Sequence, residues 1–176
     1  LALAPSRSAY AELSGLISMA RRRSPKGEYR VTLRDVIFHL KRCLIIWLPQ
    51  DDNTTTRAYG LQLSRLCKER LWLGVSRLLG NDEIRHYQML AQLAQELRLP
   101  MLACGDVRMH TAARKPLHDV FTALHHNTTI EQLGRRRLGN SQQHLRSIGR
   151  LKRLYPTALL KETLHVAHQC HSPLAD

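Results

Sequence analysis

The stretch Leu99-Pro100-Met101-Leu102-Ala103-Cys104-Gly105-Asp106-Val107-Arg108-Met109-His110 decides how this chain folds. Pro100 stops whatever helix precedes it, because the residue before a proline is pushed out of the helical region. Met101 to Cys104 is an apolar run of strand length, and Gly105-Asp106 ends it. On its amino-terminal side, Asp82 can cap a helix with Ile84, Tyr87, Leu90, Ala91, Leu93, Ala94 and Leu97 on one face, at spacings of three and four. Before that helix lies another short apolar run, Leu71-Trp72-Leu73-Gly74-Val75, and before that Cys43-Leu44-Ile45-Ile46-Trp47-Leu48, closed by Pro49. Strands separated by single helices require crossover connections, so the fold class is α/β with a parallel sheet.

Further out the same alternation continues. Ser6 or Ser8 caps a helix to about Arg22, with Tyr10, Leu13, Leu16, Ile17 and Ala20 inward. Thr32 caps a short helix to about Lys41, and residues 51–56 form a turn and cap before a helix to about Arg70. The apolar Leu1-Ala2-Leu3-Ala4 reads as a chain beginning inside a strand. A helix follows from about Pro116 to His126. Pro156 opens a final helix with Leu159, Leu160, Thr163, Leu164 and Ala167 inward.

The composition bounds the function. The 176 residues carry 27 Lys plus Arg against 14 Asp plus Glu, a formal net charge of +13. With 43% hydrophobic and 23% charged residues the chain has globular proportions. No apolar run approaches the roughly 18 residues of a membrane span. Cys43, Cys67, Cys104 and Cys170 show no paired spacing, which suits free thiols in a reducing cytoplasm.

Carboxyl ends of parallel strands are where α/β folds build sites, which makes Asp106 a candidate metal ligand, with capping of a loop as the competing role. His165, His168, Cys170 and His171 read as a polar helix face and its end, since no second ligand pair accompanies them. No acid lies between Glu131 and Glu162, while Arg135, Arg136, Arg137, Arg150, Lys152 and Arg153 do. These six are candidate phosphate contacts; without interleaved aromatics they suggest backbone contact only. Docking on an acidic neighbouring domain explains the same residues.

The segment from Leu99 to Leu124 resembles the end of the PHP (polymerase and histidinol phosphatase) domain of bacterial DNA polymerase III alpha-type, C-family polymerases, closest to the error-prone branch. That family has a strand of the type "LPLVAxGDVHMH" followed by "RxPLxDxLTAIRxG"; here the second stretch is Arg114-Lys115-Pro116-Leu117-His118-Asp119-Val120-Phe121-Thr122-Ala123-Leu124. Ala20-Arg21-Arg22-Arg23-Ser24-Pro25-Lys26-Gly27-Glu28-Tyr29-Arg30 is similar to its "ARRRxPKGEYR". Cys43 to Pro49 is similar to its "GCLxLWxP", and Leu154-Tyr155-Pro156 with residues 160–167 to its "LYPxxLLxETLxIA" ending.

This resemblance implies a partial PHP-type distorted β/α (TIM-like) barrel over residues 1–126, then helices leading toward the polymerase core over residues 127–176. It implies a cytoplasmic piece of an error-prone, damage-inducible DNA polymerase, with the "HxH" motif before Leu1 and the palm beyond this chain. The implied partners are DNA, that polymerase core and other damage-tolerance proteins, with no membrane. The intact family site takes a divalent metal (Zn, Mn or Mg). Here Arg108 stands where the pattern has His, and Ser76 where it has a carboxylate. A guanidinium is always charged and is no ordinary ligand. The expectation is therefore a degenerate, structural module holding no metal. A metal-dependent phosphoesterase or 3′-5′ exonuclease and a basic binding module are the alternatives.

Overall fold

The computed structural model describes residues 1–170. Four strands form one open sheet in the order β1 (Ala2–Leu3), β2 (Leu44–Trp47), β3 (Leu71–Ser76), β4 (Met101–Cys104). β2, β3 and β4 are parallel, with Ile45 opposite Leu71 and Leu73 opposite Met101. The sheet is mixed, because β1 runs antiparallel to β2. No closed barrel is present among the described residues.

The parallel strands are apolar up to Ser76 at the end of β3, because both faces are covered. On one face Ile45, Leu71, Leu73 and Val75 pack with Leu63 of α3 (Thr54–Leu66) and with Leu90, Leu93 and Ala94 of α4 (Glu83–Leu97). On the other, Leu44, Ile46, Trp72 and Leu102 pack with Val166 of the carboxyl-terminal helix. Both crossover helices thus lie on one face, and the strands follow sequence order. Gly74 is required here: a Cβ would come within 2.4 Å of Leu48 Cδ2 and 2.8 Å of Ile46 Cγ2.

α1 (Arg7–Arg22) is capped by Ser6, whose hydroxyl accepts from the Ala9 amide at 3.2 Å. α2 (Leu33–His39) starts with a capping box between Thr32 and Asp35. Ala9 and Leu16 of α1 share a third cluster with Leu40 and Cys43. α3 is capped by Asn53 and ends at Leu66; a 3-10 turn, Lys68–Arg70, replaces its expected last turn. Asp82 sits at the start of α4 with no side-chain cap, and Ile84 of the expected stripe is 75% exposed. The apolar stripe therefore faces the core only from Tyr87 onward. In α1, Tyr10 and Ile17 are likewise exposed, and Ala9 takes the inward place.

After β4 come α5 (Lys115–His125), a 3-10 segment Glu131–Arg136, α6 (Ile148–Leu154) and α7 (Thr157–His168). α7 lies along the outer edge of β4. The Thr163 hydroxyl accepts from the Ala103 amide at 3.0 Å and is 2.9 Å from the Ala103 carbonyl. Glu162 accepts from the Trp72 indole at 2.7 Å. Leu164 and Ala167, expected inward, are exposed; Val166 is buried instead, because α7 meets an edge as well as a face. No described helix is long and apolar enough to cross a membrane. Cys43 and Cys67 are buried free thiols, Cys104 is half-buried and Cys170 exposed. Burial pushes the Cys43, Cys67 and Cys104 thiols up in pKa.

Candidate functional site

β2, β3 and β4 all end on one side, and their carboxyl ends open onto a cleft of about 510 Å³. Gln50 follows β2, Ser76 ends β3, and Asp106 follows β4. Asp106 has a φ of 40°, a left-handed conformation that Asp tolerates better than most residues. Asp82, Glu83 and His86, from the start of α4, line the opposite wall.

Two side chains occupy the Asp106 carboxylate. Arg108 donates through Nε to Oδ1 at 3.3 Å, and Gln143 Nε2 donates to Oδ2. Gln143, only 7% exposed, also donates to the Asp106 carbonyl, while its own carbonyl accepts from the Arg108 and Met109 amides at 2.8 and 3.0 Å. It clamps the loop after β4 at four points. Glu83 is taken as well: it accepts from Arg77 Nε, and that guanidinium also donates to the Leu154 carbonyl at 3.1 Å. Tyr155 ties the ends of β3 and β4 together. Its hydroxyl accepts from the Arg77 amide at 2.9 Å and donates to the Cys104 carbonyl at 2.7 Å. Burial raises the pKa of that phenol.

No group of three or more His, Cys, Asp or Glu side chains is placed to hold a metal among the described residues. Of the cleft's carboxylates, Asp106 and Glu83 each have an arginine partner; Ser76 is a weak neutral donor, and Asp82 and His86 stand on the opposite wall without forming a ligand group with them. His110 lines a neighbouring groove with Leu117, His118 and Phe121, and Arg108 borders both that groove and the cleft.

No family model matches the chain. Over 174 residues, 99% of its length, it is 48% identical to an error-prone DNA polymerase of Teredinibacter turnerae. It is 45% identical to that of Saccharophagus degradans over 174 residues, and 43% to that of Vibrio vulnificus over 168. The chain is homologous to a segment of error-prone DNA polymerases. It spans only 16–17% of the length of these relatives.

Against that background the basic residues divide into two groups. Arg135 and Arg136 end the 3-10 segment and are exposed, as are Lys152 and Arg153 in the last turn of α6. Arg137 instead donates to Asp119 at 2.8 Å, and Arg150 to Gln142 Oε1 at 3.2 Å. Asp119 is 2% exposed and also accepts from Lys115 at 2.7 Å. Of the His165, His168, Cys170 and His171 group, His165 and His168 lie exposed on α7, and His171 lies outside the described residues. Sequence reading gave Gln143 and Asp119 no role; the signals for Asp119 were its place in the "RxPLxD" pattern and its standing as a lone acid among cations.

Proposed function

We propose that this chain is the carboxyl-terminal part of a PHP-type barrel inside an error-prone, damage-inducible DNA polymerase. In that polymerase it acts as a structural module, in the cytoplasm, with a degenerate metal site. What carries the reading is the Asp106–Arg108 pair at the strand ends, where a cationic side chain sits against the one carboxylate on the strand-end loop. Three parallel strands in sequence order, with both crossover helices on one face, suit an arc of a barrel better than a doubly wound sheet. Full-length homology to one sixth of a polymerase supplies the parent. DNA is the partner of that parent, and of the six candidate cations Arg135, Arg136, Lys152 and Arg153 are exposed to meet phosphates.

The experiment is a thermal melt of the chain with and without Zn²⁺, Mn²⁺ or Mg²⁺. A site filled at a hundred times its Kd adds about 2.7 kcal/mol, a rise of roughly 5–10 °C at this size. The expected rise is below about 1 °C, the absence of specific binding. A metal-induced rise that Asp106→Ala removes would overturn the degenerate-site reading and favour the phosphoesterase alternative.

A further inference from the structure

Helix α5 carries an apolar stripe that none of the described residues covers. Leu117, Val120, Phe121 and Leu124 recur at i, i+3, i+4 and i+7, which places them on one face. They are 43%, 39%, 62% and 69% exposed. The opposite face, Asp119 and Ala123, is buried, and the ion pairs from Lys115 and Arg137 to Asp119 fix the helix from behind. Leu117 and Phe121 also wall a groove of about 430 Å³ against Arg108, Met109 and His110. Single exposed leucines are ordinary; a contiguous stripe on a rigidly held helix, beside a groove, marks a docking surface.

Two observations say what covers it. First, five sixths of each relative's polypeptide lies outside the segment matched here, so a covalently tethered partner is present at high effective concentration. Second, the rim is basic. From Val107 to Lys161 the only acids are Asp119 and Glu131, and Asp119 is buried between its cations. The groove and stripe are edged by Arg108, Arg114, His118 and His125. A second copy would bring the same cations face to face, which opposes a symmetric pairing. Phosphates would meet the rim but leave four apolar side chains in water.

We propose that the α5 stripe docks another part of the same polymerase polypeptide, a surface with an apolar centre and an acidic rim. This rests on the reading of the chain as a polymerase segment. The test uses a full-length protein: the Teredinibacter turnerae relative with its homologous 174 residues replaced by this chain. Hydroxyl-radical footprinting follows oxidation of Phe121 and Leu124, with this chain by itself as the reference, where both are accessible whether it is folded or unfolded.

The expected result is a roughly five-fold slower oxidation of Phe121 in the DNA-free hybrid, as in the dry core of an interface. Leu117→Glu with Leu124→Glu restores its fast oxidation. Equal rates in both proteins overturn the proposal. So does protection that appears only on adding DNA, which assigns the surface to nucleic acid, or protection lost on dilution, which assigns it to a second copy. A hybrid that synthesises DNA with Phe121 unprotected refutes the docking alone. A hybrid without synthesis, beside an active parent, counts against the polymerase reading and with it the docking.

Discussion

Replacing Asp119 by Asn isolates the ion-pair cluster that holds α5. Asp119 Oδ2 accepts from Lys115 Nζ at 2.7 Å and from Arg137 Nε at 2.8 Å, and Oδ1 is buried without a partner. Asn keeps one acceptor but removes the charge. Each ion-pair bond becomes a weaker bond from a cation to a neutral oxygen, so the two together lose about 2 kcal/mol. Lys115, with a 17% exposed side chain, is left facing a neutral group. The roughly 3–5 kcal/mol typical of a broken buried pair is an upper limit, because Arg137 is half exposed and water solvates it. The expected loss is about 2–3 kcal/mol, a fall in Tm of roughly 5–10 °C.

Acid supplies the second arm of the same test. Burial raises the Asp119 pKa, but the hydrogen bonds and charges of Lys115 and Arg137 outweigh it and hold the carboxyl below its ordinary value. A group with a lowered folded pKa stabilises fully above its unfolded pKa, about 3.9 for Asp, and loses this as pH falls through the folded value. The gap between the parent and Asp119→Asn is therefore constant from pH 7 to about 5 and closes below about 4. Melts by circular dichroism across that range measure it. A gap below about 0.5 kcal/mol at pH 7, or one that widens in acid, would refute the reasoning.

Thr163→Val keeps the shape of α7 but strands the Ala103 amide at the sheet edge, at a cost of about 1–3 kcal/mol. A lower Tm and faster light scattering on heating are expected; unchanged melting would show that the edge is not held by this hydroxyl. Arg135→Ala with Arg136→Ala should flatten the salt dependence of single-stranded DNA binding by about 1.4 in log–log slope. Arg137→Ala should leave that slope nearly intact and lower Tm instead. The same slope in the Arg135/Arg136 variant would remove those two residues from the interface.

Residues 44–47, 71–76 and 101–104 were legible as strands because buried parallel strands are continuous apolar runs between turn residues. The caps at Ser6 and Thr32 were legible because a hydroxyl there meets an orphan amide locally. The antiparallel direction of β1 was not, since two residues carry no periodicity and their direction depends on partners at Leu44 and Ile45, far along the chain. The inward face of α7 was misread for a related reason. A helix that seals a strand edge presents Thr163 to a backbone, which a hydrophobic stripe does not encode. In the site, Asp106 could be found from its place after a strand. Gln143 could not, because a loop amide 37 residues away has no sequence signature.

The net charge of +13 is not a measure of phosphate affinity, because the basic stretch is partly spent on the chain's own backbone. Residues 137–146 form no regular helix or strand beyond one bridge between Met109 and His144. Carbonyls beside such a segment lack ladder partners, and a buried carbonyl without a donor is costly. A guanidinium offers five donors in a fixed fork and meets several at once. Arg146 donates to the carbonyls of Arg77 and Gln142 at 2.8 and 2.9 Å, and Arg77 to that of Leu154. Asn140 does the same for Leu78 at 2.7 Å. The contacts at Arg77 and Leu78 brace the end of β3, which forms one wall of the cleft. Arg108 extends the pattern, since it spends its charge on Asp106 in the same cleft. The arginines at the strand ends thus hold the cleft in shape, and of the six candidate phosphate contacts Arg135, Arg136, Lys152 and Arg153 remain exposed for a partner.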